Sequence, residues 1–414
     1  MTAPQTSAPR AQTRASEVSA PQTGVSPLRS PLHFLPLQGR KLRAAEWVMV
    51  AAGIYVLITA VMLIGSGFKL AAGDSAGQLF QFASNPFVGL MIGLLATALT
   101  QSSTTTTSIT VGMVAGGLPI EIAIPIMLGA NIGTTMTSTL VSLGMSRDRE
   151  TFRRAFGAAT VHDMYNLLSV AIFLPLELMF GVLQRSSQWL TAQTSGTDGG
   201  AVATVFGGVG EGVQFITAPG STLITGLVSP LPDVAAGLLL ILIGVVGILA
   251  VINLIGKLLK VLMVGRAQRV LHAAIGRSPI SGIASGTLMT VMVQSSTTTT
   301  SLAVPLAGSG TFTLRQIYPF TIGANIGTTL TALIAAFAFT GPEAGAALQA
   351  AYVHMLYNIF CALVIFGLPL LRSLPVKGAS WLANLAVKSK LYVAAWVLGV
   401  FIILPVTLIV ATVW

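Results

Sequence analysis

The sequence predicts an all-α integral membrane protein made of two inverted-topology repeats, each with a re-entrant helical hairpin and a broken transmembrane helix. Three observations support this fold class: an apolar composition, apolar segments long enough to cross a bilayer, and a duplicated set of polar motifs. Of the 414 residues, 53% are hydrophobic and only 8% are charged. Ordinary globular proteins carry about 25% charged residues because water covers their surface. Most of the surface of this chain is therefore expected to face lipid.

Five apolar segments meet the requirement of about 20 residues for a transmembrane helix. They cover residues 45–66, 152–182, 234–262, 346–370 and 392–413. Two longer apolar regions, 85–143 and 278–339, are repeatedly interrupted by Gly, Pro, Ser, Thr and Asn. We expect each interrupted region to form a hairpin followed by a broken helix.

The remaining segments differ in composition from these apolar regions. Residues 1–43 are rich in Ala, Pro, Ser, Thr and Gln, which predicts a disordered cytoplasmic tail without a signal peptide. The single cysteine, Cys361, has no partner for an intramolecular disulfide. The predicted organisation after the tail is a first repeat at 45–183, an external connecting loop at 184–233, an inverted second repeat at 234–371 and an extra C-terminal transmembrane helix at 388–414.

The duplication is visible in three motifs that recur in the same order. A Gln-Ser-Ser-Thr-Thr-Thr-Thr-Ser run recurs letter for letter after 193 residues, Gly-Ala-Asn-Ile-Gly-Thr-Thr recurs after 194, and Val-His followed by Tyr-Asn recurs after 192. The motifs start at Gln101, Gly129 and Val161 in the first copy and at Gln294, Gly323 and Val353 in the second. A nearly constant offset indicates that the chain is a tandem duplication.

The distribution of basic residues predicts the orientation of the two halves. If each half contains a spanning helix, a hairpin that returns to its own side, a broken spanning helix and a last spanning helix, the second half is inverted. With a cytoplasmic N-terminus, 20 of the 22 Lys and Arg residues then lie inside, and only Lys69 and Arg185 lie outside. Cytoplasmic loops are enriched in Lys and Arg, so this topology is favoured over its mirror image.

The duplicated hydroxyl-rich runs carry the chemistry of the sequence. Unpaired polar groups facing lipid are costly, so these runs are expected to face protein or a water-filled cavity. Packing between helices is one explanation for a single run. Two identical runs in inverted halves favour a shared site at mid-membrane, where hydroxyls and helix N-termini suit an oxyanion and carbonyl and side-chain oxygens suit sodium.

Several function classes fit the sequence poorly. The basic residues form no patch interleaved with aromatic residues, which argues against nucleic-acid binding. No nucleotide-binding loop, metal-ligand spacing or nucleophile motif is recognisable, which argues against an enzyme. Transport driven by an ion gradient remains the main interpretation.

Asp163 is the carboxylate that the sequence places deepest in a spanning segment. Met355 occupies the equivalent position of the second half, so this charge breaks the internal symmetry. An acid inside a membrane is a functional candidate by default, and we assign it to an additional sodium ion. The alternative is a structural partnership with His162 or a nearby hydroxyl. His162 and His354 themselves are expected to be structural.

These motifs resemble the type II sodium-dependent phosphate cotransporter family over about residues 85–371. The resemblance rests on the paired Gln-Ser-Ser and Gly-Ala-Asn-Ile-Gly-Thr motifs and on Phe152-Arg153-Arg154-Ala155-Phe156 leading to Val161-His162-Asp163. It implies a bacterial member in the inner (plasma) membrane that imports inorganic phosphate with sodium by alternating access. Sodium would be co-transported, and no organic cofactor is implied. In this family an Asp at the position of Asp163 implies electrogenic transport.

The resemblance also implies site residues. For phosphate these are Ser102, Ser103, Thr104, Ser295, Ser296 and Thr297. One sodium ion would be bound by Thr134, Gln294, Ser295, Thr328 and Thr331, and another by Asp148 and Asn166. The remaining sodium candidates are Gln101, Asn131, Asn325 and Asp163.

Two other functions stay open at this point. One is a sodium-coupled carrier of a different anion, such as sulfate or a small carboxylate. The other is a channel or membrane sensor whose duplicated motifs bind ions without transport. The expected partners are phosphate, sodium and membrane lipid. The oligomeric state is open, with a homodimer among the alternatives.

Overall fold

The computed structural model describes residues 30–73, 85–195, 200–275 and 277–413, and every regular element in these ranges is a helix. Short π-helical segments at Ala362–Phe366 and Gly399–Ile403 extend α13 and join α15 to α16. In chain order the helices are α1 (Gly39–Ala72), α2 (Pro86–Thr100), α3 (Ser103–Ala115), α4 (Ile120–Gly133), α5 (Met136–Leu143), α6 (Arg149–Phe180), α7 (Val182–Ser195), α8 (Gly200–Val228), α9 (Asp233–Ala274), α10 (Pro279–Val293), α11 (Ser296–Gly308), α12 (Leu314–Ala336), α13 (Pro342–Cys361), α14 (Pro369–Lys388), α15 (Lys390–Leu398) and α16 (Leu404–Val413).

The two sequence repeats correspond to two similar sets of helices. Helices α1 to α6 form the first set and α9 to α13 the second, with a helical hairpin at α2–α3 and at α10–α11. Helix α1 packs along α9, and α3 and α11 each pack against helices of the other repeat. Each hairpin therefore packs against the opposite repeat.

Both hairpins begin in the same way. Asn85 Oδ1 accepts from Phe87 N at 2.9 Å, Ser278 Oγ accepts from Ser281 N at 3.1 Å, and a proline follows each cap. Such caps satisfy amide groups that a helix leaves without partners, and proline is preorganised for the first turn. The sequence thus specifies the start of each hairpin locally.

Glycines bring the first helix of each hairpin into backbone contact with the helix that follows the hairpin. A Cβ on Gly129 of α4 would lie 1.9 Å from the carbonyl oxygen of Leu90. A Cβ on Gly323 of α12 would lie 2.0 Å from that of Ile283. Only glycine permits this approach, which is typical of close helix packing in membranes.

The expectation of a broken helix in both repeats is only half correct. Helix α4 ends at Gly133, and a turn at Thr134–Thr135 separates it from α5. The equivalent motif, Gly323 to Thr329, lies within the continuous helix α12, so the prediction of an unwound second copy is wrong. The glycines there serve close packing with α10 and do not open the backbone.

Three boundaries also differ from expectation. Helix α1 begins inside the predicted tail because the residues from Gly39 onwards are mostly good helix formers; residues 1–29 of that tail lie outside the described residues. The predicted connecting loop at 184–233 contains most of α7 and all of α8, although 196–199 are not described. The segment between the last two predicted spans is also a helix, α14, which packs on α6.

Seven helical stretches among the described residues are long and apolar enough to cross a membrane. They are Gly39–Ala71, Ile120–Leu143, Arg149–Phe180, Asp233–Met263, Leu314–Ala336, Glu343–Phe366 and Lys390–Thr412. Helices α2 and α10 are apolar but have only 15 residues each. At 1.5 Å per residue they reach roughly 22 Å, short of a bilayer core of about 30 Å.

Candidate functional site

The tips of the two hairpins have the same backbone geometry. Gln101 ends α2 with φ 52° and Gln294 ends α10 with φ 51°. They are the only non-glycine residues of the described ranges with a positive φ. This left-handed conformation is unfavourable for a residue with a side chain, and such positions cluster at functional sites. In both tips it lets the chain reverse within two residues.

A serine caps the second helix of each hairpin. Ser102 Oγ accepts from Thr105 N at 3.2 Å, and Ser295 Oγ accepts from Thr298 N at 3.1 Å. The amide groups of the first turn otherwise have no partners within the helix, and they carry the positive end of the helix dipole. Two such N-termini, one from each repeat, provide backbone N–H groups that can bind an anion.

Both N-termini open into one cavity of about 490 Å³. All six residues expected to bind phosphate line it, and Thr297 Oγ1 of one tip lies 3.5 Å from Gln101 O of the other. None of the described lining residues is acidic. The remaining lining residues are Thr100, Gln101, Thr105, Leu249, Ile252, Asn253, Gly256, Lys257, Lys260, Gln294 and Thr298.

Two members of the predicted sodium set of the second hairpin are in direct contact. Thr331 Oγ1 donates to Gln294 Oε1 at 2.7 Å, which links the tip to α12. Thr134 and Thr328 instead donate to carbonyl oxygens of their own helices, at 3.1 Å from Ala130 O and 3.0 Å from Ala324 O. Such hydroxyls keep a lone pair available for a cation.

Asp148 and Asn166 do not meet. Asp148 caps the start of α6, where Thr151 N donates to its Oδ2 at 2.7 Å, and this bond lowers the pKa of Asp148 below its usual value. Asn166 is buried in the same helix, which continues without interruption from Arg149 to Phe180. Their separation along the axis is roughly 27 Å at 1.5 Å per residue, so the expectation that they bind one sodium ion together is wrong.

Asp163 is buried, and it forms no hydrogen bond with His162. Trp396 Nε1 on α15 donates to Asp163 Oδ2 at 2.7 Å. The hydroxyls of Thr135, in the break between α4 and α5, and of Thr139, in the first turn of α5, lie beside the same carboxylate. Among the described residues, Asp163 Oδ1 and Thr139 Oγ1 have no hydrogen-bond partner. Oxygen atoms left unpaired beside a buried acid are suitable ligands for a hard cation.

Two asparagines and two histidines form crossed hydrogen bonds between the repeats. Asn325 Oδ1 lies 2.6 Å from His162 Nε2, and its equivalent Asn131 Oδ1 lies 3.2 Å from His354 Nε2. Each asparagine also donates through Nδ2, Asn325 to Asn166 and Asn131 to Asn358. Because the amide oxygens only accept, both histidines donate from Nε2. The histidines therefore have structural contacts, as expected.

Sequence reasoning missed three side chains of this region. Trp396 lies in the extra C-terminal helix, outside the duplicated segments, so the repeat gave no signal for it. Lys257 and Lys260 were counted only as orientation charges. Lys257 and Lys260 follow Asn253 by four and seven residues. This spacing was the available signal, because residues so spaced lie on one face of a helix.

Comparison with known proteins identifies the family. The profile of the Na+/Pi-cotransporter family matches residues 56–218 and 248–372. The chain is 33% identical over 416 residues to "Sodium-dependent phosphate transport protein 2A" of Rattus norvegicus, with 85% of this chain and 65% of that protein covered. It is 32% identical over 418 residues to the 2A protein of Ovis aries (85% and 65% covered) and 30% identical over 450 residues to the 2B protein of Homo sapiens (87% and 64% covered).

The chain thus spans about 65% of the length of these curated relatives, and no solved structure matches it. The family match covers parts of both repeats, including the two hairpin tips and all of the crossed asparagines and histidines. Together with the seven described helical stretches that are long and apolar enough to cross a membrane, it shows that the chain is an integral membrane protein of the Na+/Pi-cotransporter family.

Proposed function

We propose that this protein is a secondary active transporter that imports inorganic phosphate together with sodium. The observation that carries the proposal is the cavity at which both hairpin N-termini meet, with no acidic side chain among its described lining residues. Amide groups and hydroxyls from two helix starts provide donors on more than one side of a tetrahedral anion. The family and the names of the relatives support phosphate as the anion and sodium as the coupling ion.

The proposal includes two inverted repeats with re-entrant hairpins. The short first helices α2 and α10, each followed by a reversal at Gln101 or Gln294, support hairpins that return to the side from which they entered. The distribution of Lys and Arg supports a cytoplasmic N-terminus, and the resemblance supports a bacterial inner membrane. The meeting of equivalent hairpins supports a substrate site between the repeats, as in other inverted-repeat transporters.

Sodium is proposed to bind beside the phosphate and at Asp163. Gln294 and Thr331, joined at 2.7 Å, supply oxygen atoms next to the second tip. Asp163 with Thr135 and Thr139 supplies a charged set without an equivalent in the second repeat. If Asp163 moves inwards with a sodium ion bound and returns without it, each transport cycle carries one more positive charge inwards. This supports electrogenic transport.

Alternating access is proposed to move one repeat relative to the other. The crossed pairs Asn325–His162 and Asn131–His354 are among the polar contacts that join the repeats near the hairpins. A carrier of sulfate or of a small carboxylate would use the same donors, and a sensor would bind the ions without moving them. These alternatives differ in ligand selectivity and in flux.

Equilibrium binding to the purified protein tests the proposed ligand pair. Titration with phosphate in sodium chloride should release or absorb heat that saturates, and the same titration in potassium chloride should give much weaker binding. Excess sulfate or succinate should not displace phosphate. Binding that is equally tight in potassium, or is lost to sulfate, would contradict the proposal.

A further inference from the structure

One wall of the hairpin-tip cavity is a single face of α9. Leu249, Ile252, Asn253, Gly256, Lys257 and Lys260 line the cavity from this helix. The wall changes from apolar residues to an amide and then to two lysines as the helix proceeds. The two lysines therefore share one water-accessible space with the hydroxyls of both hairpin tips.

The lysines are not neutralised by neighbouring acids. Neither Lys257 nor Lys260 forms an ion pair within the described part of the chain. Lys257 is exposed and Lys260 is half-buried, and no described acidic residue lines the cavity. Two unpaired positive charges in a partly apolar cavity attract anions more strongly than they would on an open surface.

A role in membrane orientation does not by itself explain where the two lysines lie on the helix. Both lie within the apolar stretch Asp233–Met263 of α9, where a lysine facing lipid would be costly. Lysines that only orient the helix could point to any side of its end. These two lie on the face that lines the cavity, at the positions where they can reach an anion that leaves or approaches the tips.

Gly256 keeps this face open between the lysines and the tips. A Cβ added at Gly256 would meet no atom within 4 Å. An anion can therefore pass along this side of α9, from the lysines towards Ser102 and Ser295. The orientation proposed above places this mouth of the cavity on the cytoplasmic side.

We infer that Asn253, Lys257 and Lys260 form a second anion site, which holds inorganic phosphate at the mouth of the cavity before it reaches the hairpin tips or after it leaves them. The inference rests on the proposed function for the identity of the anion. The amide of Asn253 donates to a phosphate oxygen, and the ammonium groups offset its charge. The site makes the local potential positive whether or not transport occurs.

A cysteine at Gly256 measures that potential directly. The native Cys361 is buried, so the protein without the new cysteine provides the background. In Gly256→Cys, a negatively charged methanethiosulfonate reagent should react faster than a positively charged one. Replacing Lys257 and Lys260 by Gln should lower this rate ratio about tenfold after screening by salt. Lys377→Gln, which removes an exposed charge on α14, should leave the ratio unchanged.

Protection of the same cysteine identifies the anion. Inorganic phosphate should slow the reaction at Gly256→Cys, and the protection should be lost with Gln at both lysines but kept with Arg at both. A rate ratio that is the same with and without the lysines would overturn the inference, as would a cysteine that neither reagent reaches. Protection only by vesicles that contain an anionic lipid, without protection by phosphate, would also overturn it.

The two proposals fail in different ways. Sodium-driven phosphate uptake with no change of rate ratio on removal of the lysines would remove only the second site. If the rate ratio depends on the lysines and phosphate protects the cysteine, but sodium drives no phosphate uptake, the second site stands and the proposed transport function is wrong.

Discussion

His162 of the first repeat lies 2.6 Å from Asn325 of the second, through Nε2 and Oδ1, and both side chains are buried. The equivalent pair, His354 and Asn131, repeats the contact in the opposite sense at 3.2 Å. Equivalent residues therefore connect the two repeats twice. In each pair the histidine Nδ1 has no partner among the described residues, so the link to asparagine is the principal polar contact of the ring.

Removing one of these asparagines should destabilise the protein. Asn325→Ala leaves the Nε2–H of His162 and the amide oxygen of Asn166 unpaired, at a cost of about 1–3 kcal/mol for each buried group. We expect a lower midpoint of thermal unfolding for the solubilised protein, with Asn384→Ala, an exposed residue of α14, as the matched control. The loss should be equal in sodium and potassium. A loss seen only in sodium would indicate that Asn325 binds the ion instead.

The glycine contacts between α2 and α4 should not tolerate a methyl group. Gly129→Ala places a Cβ 1.9 Å from Leu90 O, so the helices must separate, and overpacking of this kind costs about 1–3 kcal/mol or more. We expect a low yield of monodisperse protein and a lower unfolding midpoint. Gly345→Ala on α13, where a Cβ meets no atom within 4 Å, is the control and should be neutral or stabilising. Wild-type stability of Gly129→Ala would contradict the packing described above.

Serines of both hairpins should contribute to one phosphate site. Ser103→Ala and Ser296→Ala each remove a donor that lines the shared cavity. A hydrogen bond to a charged group contributes about 1.5–3 kcal/mol, so each change should weaken phosphate binding roughly ten- to a hundredfold. Ser108 and Ser301 lie on the same two helices but do not line the cavity. Ser108→Ala and Ser301→Ala should therefore bind phosphate as the wild type does. Full affinity after either Ser103→Ala or Ser296→Ala would rule out a site shared by both tips.

Asp163 should determine the charge that accompanies each phosphate. Asp163→Gly removes the carboxylate and its free Oδ1, so uptake should become electroneutral while remaining sodium-dependent. Trp396→Phe removes only the N–H that donates to Oδ2, and it should leave the charge-to-phosphate ratio unchanged. Current and radiolabelled phosphate flux on the same preparation provide the ratio. An unchanged ratio in Asp163→Gly would show that the carboxylate serves only as a partner of Trp396.

Local chemistry made the hairpin tips predictable from sequence. The Gln-Ser-Ser motifs carry their own turn and cap, and their duplication indicated that they meet, as they do around the cavity. The state of the Gly-Ala-Asn-Ile-Gly-Thr-Thr motifs was not predictable in this way. Glycine permits both an unwound backbone and close packing. At Gly323 the backbone stays helical and packs closely against α10.

Partners from outside the repeats were also beyond sequence reasoning. The contact between Asp163 and Trp396 joins positions 233 residues apart, and no periodicity relates them. The failed pairing of Asp148 with Asn166 has a related cause: residue types suited to sodium were recognised, but the uninterrupted helix between them sets their distance. Helix α7 escaped prediction because its polar residues lower its mean hydropathy, and α8 because its frequent glycines are poor helix formers.

Sodium-driven accumulation of phosphate in vesicles is the most direct test of the central claim. The purified protein is reconstituted into liposomes, and radiolabelled phosphate uptake is followed under an inward sodium gradient without ATP. We expect phosphate to accumulate transiently above its equilibrium level, because the two hairpin tips and the neighbouring oxygen atoms bind phosphate and sodium together. The accumulation should be abolished in Ser103→Ala/Ser296→Ala and retained in Ser108→Ala/Ser301→Ala. Equal uptake when potassium replaces sodium, or full accumulation by Ser103→Ala/Ser296→Ala, would contradict the account.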